Sequence, residues 1–487
     1  MNPAVSRNSR RLQGHGTMRD LFFVGYLVAL LLIAFKRPFL FTLIYAYIDI
    51  VAPQRLSYFM LNSIPLSLVV FALALLGYLI ADTKQDSRFS IRQGMMILLL
   101  AYCGYTTLQA EVPVAALEKW DWVWKALVFA IFLPLTLKTR LRLEALALFM
   151  VLCAATLIIT GGIKTLASGG GYGVLVLLVD NNSGLYEGSI ISTVAICIIP
   201  LILWLSHHGT IFPPDWRVRL FAYALIFSAL LIPIGTQART GLVCIAVWAV
   251  LQLRFVRYRM IYAGLAAAIG VLSIPLLPQS FTERMGTIEN YKADQSASTR
   301  LAVWQWTWDY AKQHPFGGGF DVYRINKLTY ELSEVDVSQY EEWGINPDDV
   351  DARVVEDEAR AFHSSYFEML GEQGYPGLIL WLMIHVGGLW RMELLRRRYS
   401  KSQKREEQWV APLAIALQNA HMIFLVGALF VGIAYQPFVY MLVALQIGLD
   451  TYMARRTSEA RQLPIAKDMT GAAQPKTLSQ SHRPFTN

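Results

Sequence analysis

The chain has 487 residues, 55% of them hydrophobic and 16% charged, with a mean hydropathy of +0.40 and a formal net charge of +8 at pH 7. Soluble domains carry roughly 25% charged residues, and apolar runs of about 18 or more residues, enough to cross a hydrocarbon core, recur here; an ordinary soluble protein is excluded. The basic residues fall in short loops and tails, the pattern of cytoplasmic loops in membrane proteins, which argues against nucleic acid as a partner.

Residues 1–19 are polar and basic, with Arg7, Arg10, Arg11 and Arg19, and read as a cytoplasmic tail. Apolar segments follow near 21–35, 39–52, 64–81, 93–108, 122–137, 143–160, 189–205, 219–235, 240–256, 260–277, 378–390, 411–433 and 436–450. The first is not followed by a small-residue cleavage site, so it reads as a span and not as a removed signal peptide. The expected fold is an all-α polytopic membrane protein with about twelve transmembrane helices and one large, partly helical extracytoplasmic loop. Its expected parts are the tail 1–19, a transmembrane bundle over 20–278, a loop domain over 279–363, C-terminal transmembrane helices over 364–455, and a disordered cytoplasmic tail over 456–487.

Loop charge sets the orientation. The loops with Lys138, Arg140 and Arg142, with Arg217 and Arg219, with Arg254, Arg257 and Arg259, and the basic stretch 391–405 read as cytoplasmic. The loops near Glu111 and Glu118, at 161–188, at 236–239 and at 279–363 then lie outside. Alternation is clean from residue 82 onward. Earlier, a cytoplasmic N-terminus requires that one segment flanking Lys36-Arg37-Pro38 not cross fully; thirteen crossings would put the N-terminus outside. Cys103, Cys153, Cys197 and Cys244 lie in apolar runs without a CxxC pair and read as small core residues.

The long loop has structure of its own. Ser298-Thr299 can cap a helix carrying Arg300, Leu301, Trp304 and Trp308 on neighbouring turns, and His314-Pro315 with Gly317-Gly318-Gly319 ends it. Its tryptophans suit either an interfacial aromatic belt or stacking on sugar rings. The later part is acidic, with eleven carboxylates between Glu331 and Glu358. Asp349-Val350-Asp351 lacks the glycine and ligand spacing of a calcium loop and reads as a solvated insertion. No cluster has metal-ligand spacing, so no metal and no cofactor is expected.

Three residues suggest chemistry. Arg239, in Gly235-Thr236-Gln237-Ala238-Arg239-Thr240-Gly241, sits in a connection too short to leave the membrane surface. A cation at that depth usually has a binding partner, either a lipid headgroup or a diphosphate held by the guanidinium fork. Arg300 belongs to the loop helix. His363 ends the loop where the chain re-enters an apolar run, followed by the glycine-punctuated Gly374-Tyr375-Pro376-Gly377. Two arginines can neutralise charge on a leaving diphosphate, and an imidazole can activate an acceptor hydroxyl.

His363, Ser364, Gly374 and Gly377 satisfy H-[NSQ]-x9-G-x-x-G, which is similar to the signature of bacterial O-antigen ligases and related polysaccharide polymerases. Arg239-Thr240-Gly241 and the run Ser298–Trp304 with His314–Gly319 resemble that superfamily's two arginine elements. Across Met18–Trp390 the chain resembles most the O-glycosylation ligase branch associated with exosortase and exopolysaccharide clusters. That likeness rests on Met18-Arg19-Asp20-Leu21, Lys36-Arg37-Pro38, Lys119-Trp120 with Lys125, Asp180-Asn181-Asn182, and Glu283-Arg284-Met285 with Thr287-Ile288. The chain departs from it in the apolar run Val174–Val179 and in the acidic stretch 331–358.

The resemblance implies an inverting, metal-independent membrane glycosyltransferase in the bacterial inner membrane, its site facing the periplasm. The donor would be an undecaprenyl-diphosphate-linked glycan, and the acceptor a lipid A core, a glycan end or a protein hydroxyl. Ligase, polymerase and protein-glycosylation readings stay open on sequence. His363 takes the catalytic role, Arg239 and Arg300 the diphosphate, and Gly374 and Gly377 the supporting turn. A transporter or flippase is the rival of a different class; internal repeats, its usual mark, are not evident.

Overall fold

The computed structural model describes residues 3–57, 61, 64–82, 88–167, 185–254, 256–273, 295–332 and 353–470. Each apolar segment of the sequence becomes helix. In order these are α1 (Pro3–Lys36), α2 (Phe39–Val51), the single turn α3 (Pro53–Leu56), α4 (Leu66–Ala81), α5 (Ile91–Leu108), α6 (Pro113–Thr136) and α7 (Arg140–Ala167). Then come α8 (Gly188–Cys197), α9 (Ile199–His208), α10 (Trp216–Gly235), α11 (Arg239–Leu253) and α12 (Arg259–Ser273). The long loop supplies α13 (Gln295–Gln313), a 3-10 turn (Val322–Ile325) and the strands β1 (Lys327–Leu332) and β2 (Arg353–Glu358). The chain closes with α14 (Ser365–Tyr399), α15 (Val410–Gly427) and α16 (Pro437–Thr470).

Among the described residues, six helical stretches are long and apolar enough to cross a membrane: Arg140–Ala167, Gly188–His208, Trp216–Gly235, Ser365–Tyr399, Val410–Gly427 and Pro437–Ser458. Phe39–Val51, Leu66–Ala81 and Arg239–Leu253 are apolar but shorter. Gly188–His208 spans both α8 and α9, which meet at Ile198 just before Pro200, a residue with no N–H for the helical ladder.

The helix through Pro437–Ser458 and the α8–α9 pair are the most enclosed, whereas α10 lies at the periphery. The first part of α16, from Phe438 to Leu445, is buried on every face, against α6, α14 and α15. All four cysteines are free and buried, as small core residues should be. A polar chain crosses this core. Arg92 Nη1 donates to Gln446 Oε1 at 3.1 Å, which fixes the amide so that its Nε2 donates to His421 Nδ1 at 2.9 Å. His421 Nε2 is then the donor to His385 Nδ1, 2.7 Å away.

At both ends of the chain helix runs further than composition suggests. The basic stretch expected as a separate tail over 1–19 is helical from Pro3 and continuous with the first apolar segment. At the other end α16 continues to Thr470, past the boundary at 456 where disordered chain is expected. Tyr452–Leu463 is rich in Ala, Arg, Glu and Gln, good helix formers that carry the helix onward. Residues 471–487, Asp180-Asn181-Asn182 with the run Val174–Val179, Glu283-Arg284-Met285 with Thr287-Ile288, and the acidic positions from 333 to 352 lie outside the described residues.

In the long loop, β1 and β2 pair antiparallel, with Lys327 opposite Glu358 and Leu332 opposite Arg353. A small core of its own, Val303, Tyr310, Val322, Leu328 and Phe362, joins α13 to this hairpin and to the start of α14.

Candidate active site

His363 is a non-glycine residue with φ +49°, in the left-handed region that costs free energy without a glycine. Its neighbours explain why it stays there. On one side Phe362 is buried in the loop core, and its carbonyl accepts the indole N–H of Trp304 at 2.9 Å. On the other, the Ser365 N–H donates to the Ala428 carbonyl at 2.8 Å. The Ser365 hydroxyl donates to the Val431 carbonyl and accepts the Ile433 N–H, both at 2.9 Å. Both flanks are therefore clamped, while His363 between them keeps some exposed surface. Trp304, stacked on Phe367 at 5.0 Å between ring centres, serves this clamp.

The glycine signature has a physical account. At Gly374, φ +61° and ψ −166° break α14, a conformation open essentially to glycine alone. The break leaves backbone groups without helical partners, and the turn at 314–319 takes them up. Gly318 N–H donates to Gly371 O at 3.0 Å, Gly319 N–H to Glu372 O at 2.9 Å, and Tyr375 N–H to Pro315 O at 2.9 Å. A side chain at Gly374 would strike Pro315, Phe316 and Gly317. The motif docks the loop onto the helix that follows His363. Gly377 lies buried one turn on, against Gln373, whose amide oxygen accepts the Thr106 hydroxyl at 2.6 Å.

Lys119 of α6 locks the same junction. Its ammonium lies 2.7 Å from both Glu368 and Glu372 of α14 and 3.6 Å from Asp321 of the loop. Glu372 also accepts the Asp321 N–H at 2.9 Å, and Glu368 the Ala434 N–H at 3.0 Å. One buried cation thus joins α6, the loop, α14 and the turn before α16. Removing one member of such a cluster strands the others.

The arginines approach from two directions. Arg300 is on the second turn of α13, which starts at Gln295, before Ser298-Thr299. Arg239 is the first residue of α11, after Gln237 at φ +52°. Gly241 lets this turn pack against Pro233 of α10 and Ser192 of α8, where a Cβ would clash. The Ser192 and Thr236 hydroxyls share a hydrogen bond of 2.8 Å. This places the Arg239 turn against the start of α8. The preceding residue there, Glu187, caps α8 by accepting the Ile190 N–H at 2.7 Å.

Arg300 and Glu187 both reach His363 electrostatically. The His363 pKa is lowered, first by partial loss of water around the ring, then by the Arg300 charge, with Arg360 adding to this and Glu187 opposing it. The imidazole is therefore neutral at neutral pH and able to accept a proton. Arg300 and His363, 63 positions apart in sequence, lie within electrostatic reach of each other, and the turn of Arg239 sits beside the start of α8, where Glu187 also influences His363. Nothing along the sequence singles out Glu187, Glu368, Glu372 or Asp321, because single carboxylates on unrelated segments carry no spacing signal. Lys119 is visible there only as a point of family likeness.

A helical, multi-pass membrane-type bundle with a histidine, two arginines and a docked loop at one end is the class that fold and site define. Within it, residues 223–382 match the O-antigen ligase family, and residues 18–210 match a family of unknown function (DUF5935). No curated protein matches the chain. The first match supports a ligase- or polymerase-type membrane glycosyltransferase of the O-antigen ligase superfamily, a class that uses a lipid-linked glycan donor and a glycan acceptor. Arg239, Arg300 and His363 all fall inside it, whereas Glu187 and Lys119 fall inside the other, so the candidate site draws residues from both.

Proposed function

We propose that this protein transfers a glycan from an undecaprenyl-diphosphate-linked donor to an acceptor hydroxyl at the outer face of the bacterial inner membrane. What supports this reading is a His363 whose pKa is lowered by desolvation and by the Arg300 charge, on a clamped, strained turn inside the segment that matches the O-antigen ligase family. His363 takes the acceptor proton as the acceptor oxygen bonds to the anomeric carbon. The bond from that carbon to the donor phosphate breaks, and its electron pair leaves with the lipid diphosphate. Arg239 and Arg300 stabilise that leaving charge. Attack opposite the diphosphate inverts the anomeric centre in one step. Charge asymmetry supports twelve crossings, with 279–363 outside and 391–408 inside.

The test is transfer by purified protein from an undecaprenyl-diphosphate oligosaccharide to a soluble acceptor glycan, with the anomeric configuration of product read by NMR. An inverted linkage, lost in His363→Gln at unchanged folding, is expected. A retained configuration, or full transfer by His363→Gln, would overturn the mechanism. Deleting the gene identifies the acceptor, since loss of long-chain lipopolysaccharide, of secreted polysaccharide or of a glycoprotein each names a different one.

A further inference from the structure

We propose that a cavity at the other end of the bundle binds the phosphate headgroup of an anionic membrane phospholipid. The cavity measures about 750 Å³ and opens where the Lys36-Arg37-Pro38 link, the end of α4 and the α6–α7 joint converge. Helix α6 begins beside the docked loop, where Glu111 N–H donates to Gly318 O, and ends at Thr136 in this cavity. Its 24 residues therefore put about 36 Å between the cavity and the His363 end.

The charge count among the described residues is uneven. Lys36, Arg37 and Arg142 line the cavity together with one carboxylate, Asp82, and Lys138 adjoins it through Asp82. Asp82 is already committed: both Arg142 terminal nitrogens donate to it at 2.7 Å, and Lys138 lies 3.9 Å away. Three lining cations against one carboxylate leave a surplus of two on a concave surface, with Lys138 beside them. The guanidinium of Arg142 and the ammonium of Lys138 are held over the rings of Phe39 and Tyr78, each at 4.9 Å, so their positions are set before any ligand arrives.

Much of the remaining lining is apolar, from Leu40, Leu43, Ala74 and Ala81, with Thr42, Thr136 and Thr139 among it. Phe35, Ile80 and Leu141 beside it are exposed, as residues facing hydrocarbon are. A phosphate with acyl chains meets both demands, cations for the headgroup and apolar wall for the chains. Basic pockets between helix ends on the cytoplasmic side recognise anionic headgroups by this combination. Bound there, the lipid ties α1, α2, α4 and α7 together, a role distinct from transfer at His363.

The experiment uses the full chain purified in non-ionic detergent, titrated with dioleoyl phosphatidylglycerol, dioleoyl phosphatidylethanolamine or inorganic phosphate. Lipid retention is read by native mass spectrometry and stability by Tm. Selective retention of phosphatidylglycerol is expected. It should weaken in the double variant Lys36→Gln/Arg37→Gln by roughly fivefold per cation, about 25-fold in all. Asp82→Asn, which releases Arg142 toward the headgroup, should strengthen retention by about fivefold. Equal retention of the two lipids, or retention unchanged in the double variant, would overturn the site. Stabilisation by inorganic phosphate with no phosphatidylglycerol preference would overturn the lipid assignment in favour of a soluble anion. Should the double variant fail to fold, Asp82→Asn decides: unchanged or weakened retention ends the proposal.

Discussion

His363 is the residue whose surroundings say most about its role. A base must be neutral, so the transfer rate should rise with pH through the His363 pKa and then level off. Because desolvation and Arg300 lower that pKa, the rise should fall below the ordinary histidine value of about 6.5. Glu187 opposes the lowering, so Glu187→Gln should move the rise to still lower pH, and Arg300→Ala should move it up. A pH–rate profile under conditions where glycosyl transfer limits the rate checks all three. A rate that falls as pH rises through the same range would make His363 a phosphate-binding cation instead. The arginines carry a second prediction. Arg239→Ala and Arg300→Ala should each lose about 2–4 kcal/mol of transition-state stabilisation, as removal of an oxyanion donor does. Lys at either position should rescue only in part, because a point charge cannot reproduce the guanidinium fork. Wild-type transfer by either Ala variant, at matched expression, would remove that arginine from the site.

At the scale of elements, docking of the long loop onto α14 decides whether Arg300 meets His363. Gly374→Ala puts a side chain into a glycine-only conformation and into the turn at Pro315–Gly317, at a cost of about 1–3 kcal/mol for the backbone alone. Lys119→Met strands Glu368 and Glu372 and should cost about 3–5 kcal/mol. Both variants should expose the 295–363 segment to protease and raise its backbone hydrogen exchange while the membrane helices stay protected. Unchanged protection there would show that the docking does not depend on these residues. Orientation has its own test. Lys327 in the loop and Lys404 between α14 and α15 are both largely exposed. Single cysteines at these positions should differ in intact cells, Lys327→Cys reacting with an impermeant reagent and Lys404→Cys not. The reverse pattern would invert the topology and move the site to the cytoplasmic face.

For the whole molecule, the proposed mechanism has two guanidiniums supply the counter-charge to diphosphate that a divalent cation supplies elsewhere. Transfer by the purified protein should therefore persist in EDTA; loss of activity restored by magnesium or manganese would refute this. The helical bundle was legible from hydropathy because a bilayer demands helices whose backbone groups are satisfied within the segment. Among the described residues each of the thirteen apolar segments is helix over most of its length, and the four cysteines of those runs are core. Arg239 and His363 could be singled out because an arginine in a short connection and a histidine at a helix mouth break the pattern locally, whereas Arg300 stood out only through the family resemblance. What lay beyond the sequence was everything that depends on segments distant in the chain meeting in space. The stop at Gly374 is a local event, but its partners are the carbonyls and N–H groups of a turn some sixty residues earlier. The lowered His363 pKa depends first on desolvation of the ring and then on Arg300, with Glu187 opposing, and these surroundings exist only because α8 and α13 pack at that end of the bundle. Lys119 finds three carboxylates from two separate segments. Periodicity and charge are properties of neighbouring residues and can be read along a chain, whereas a site's electrostatics are set by through-space distances that tertiary packing alone decides.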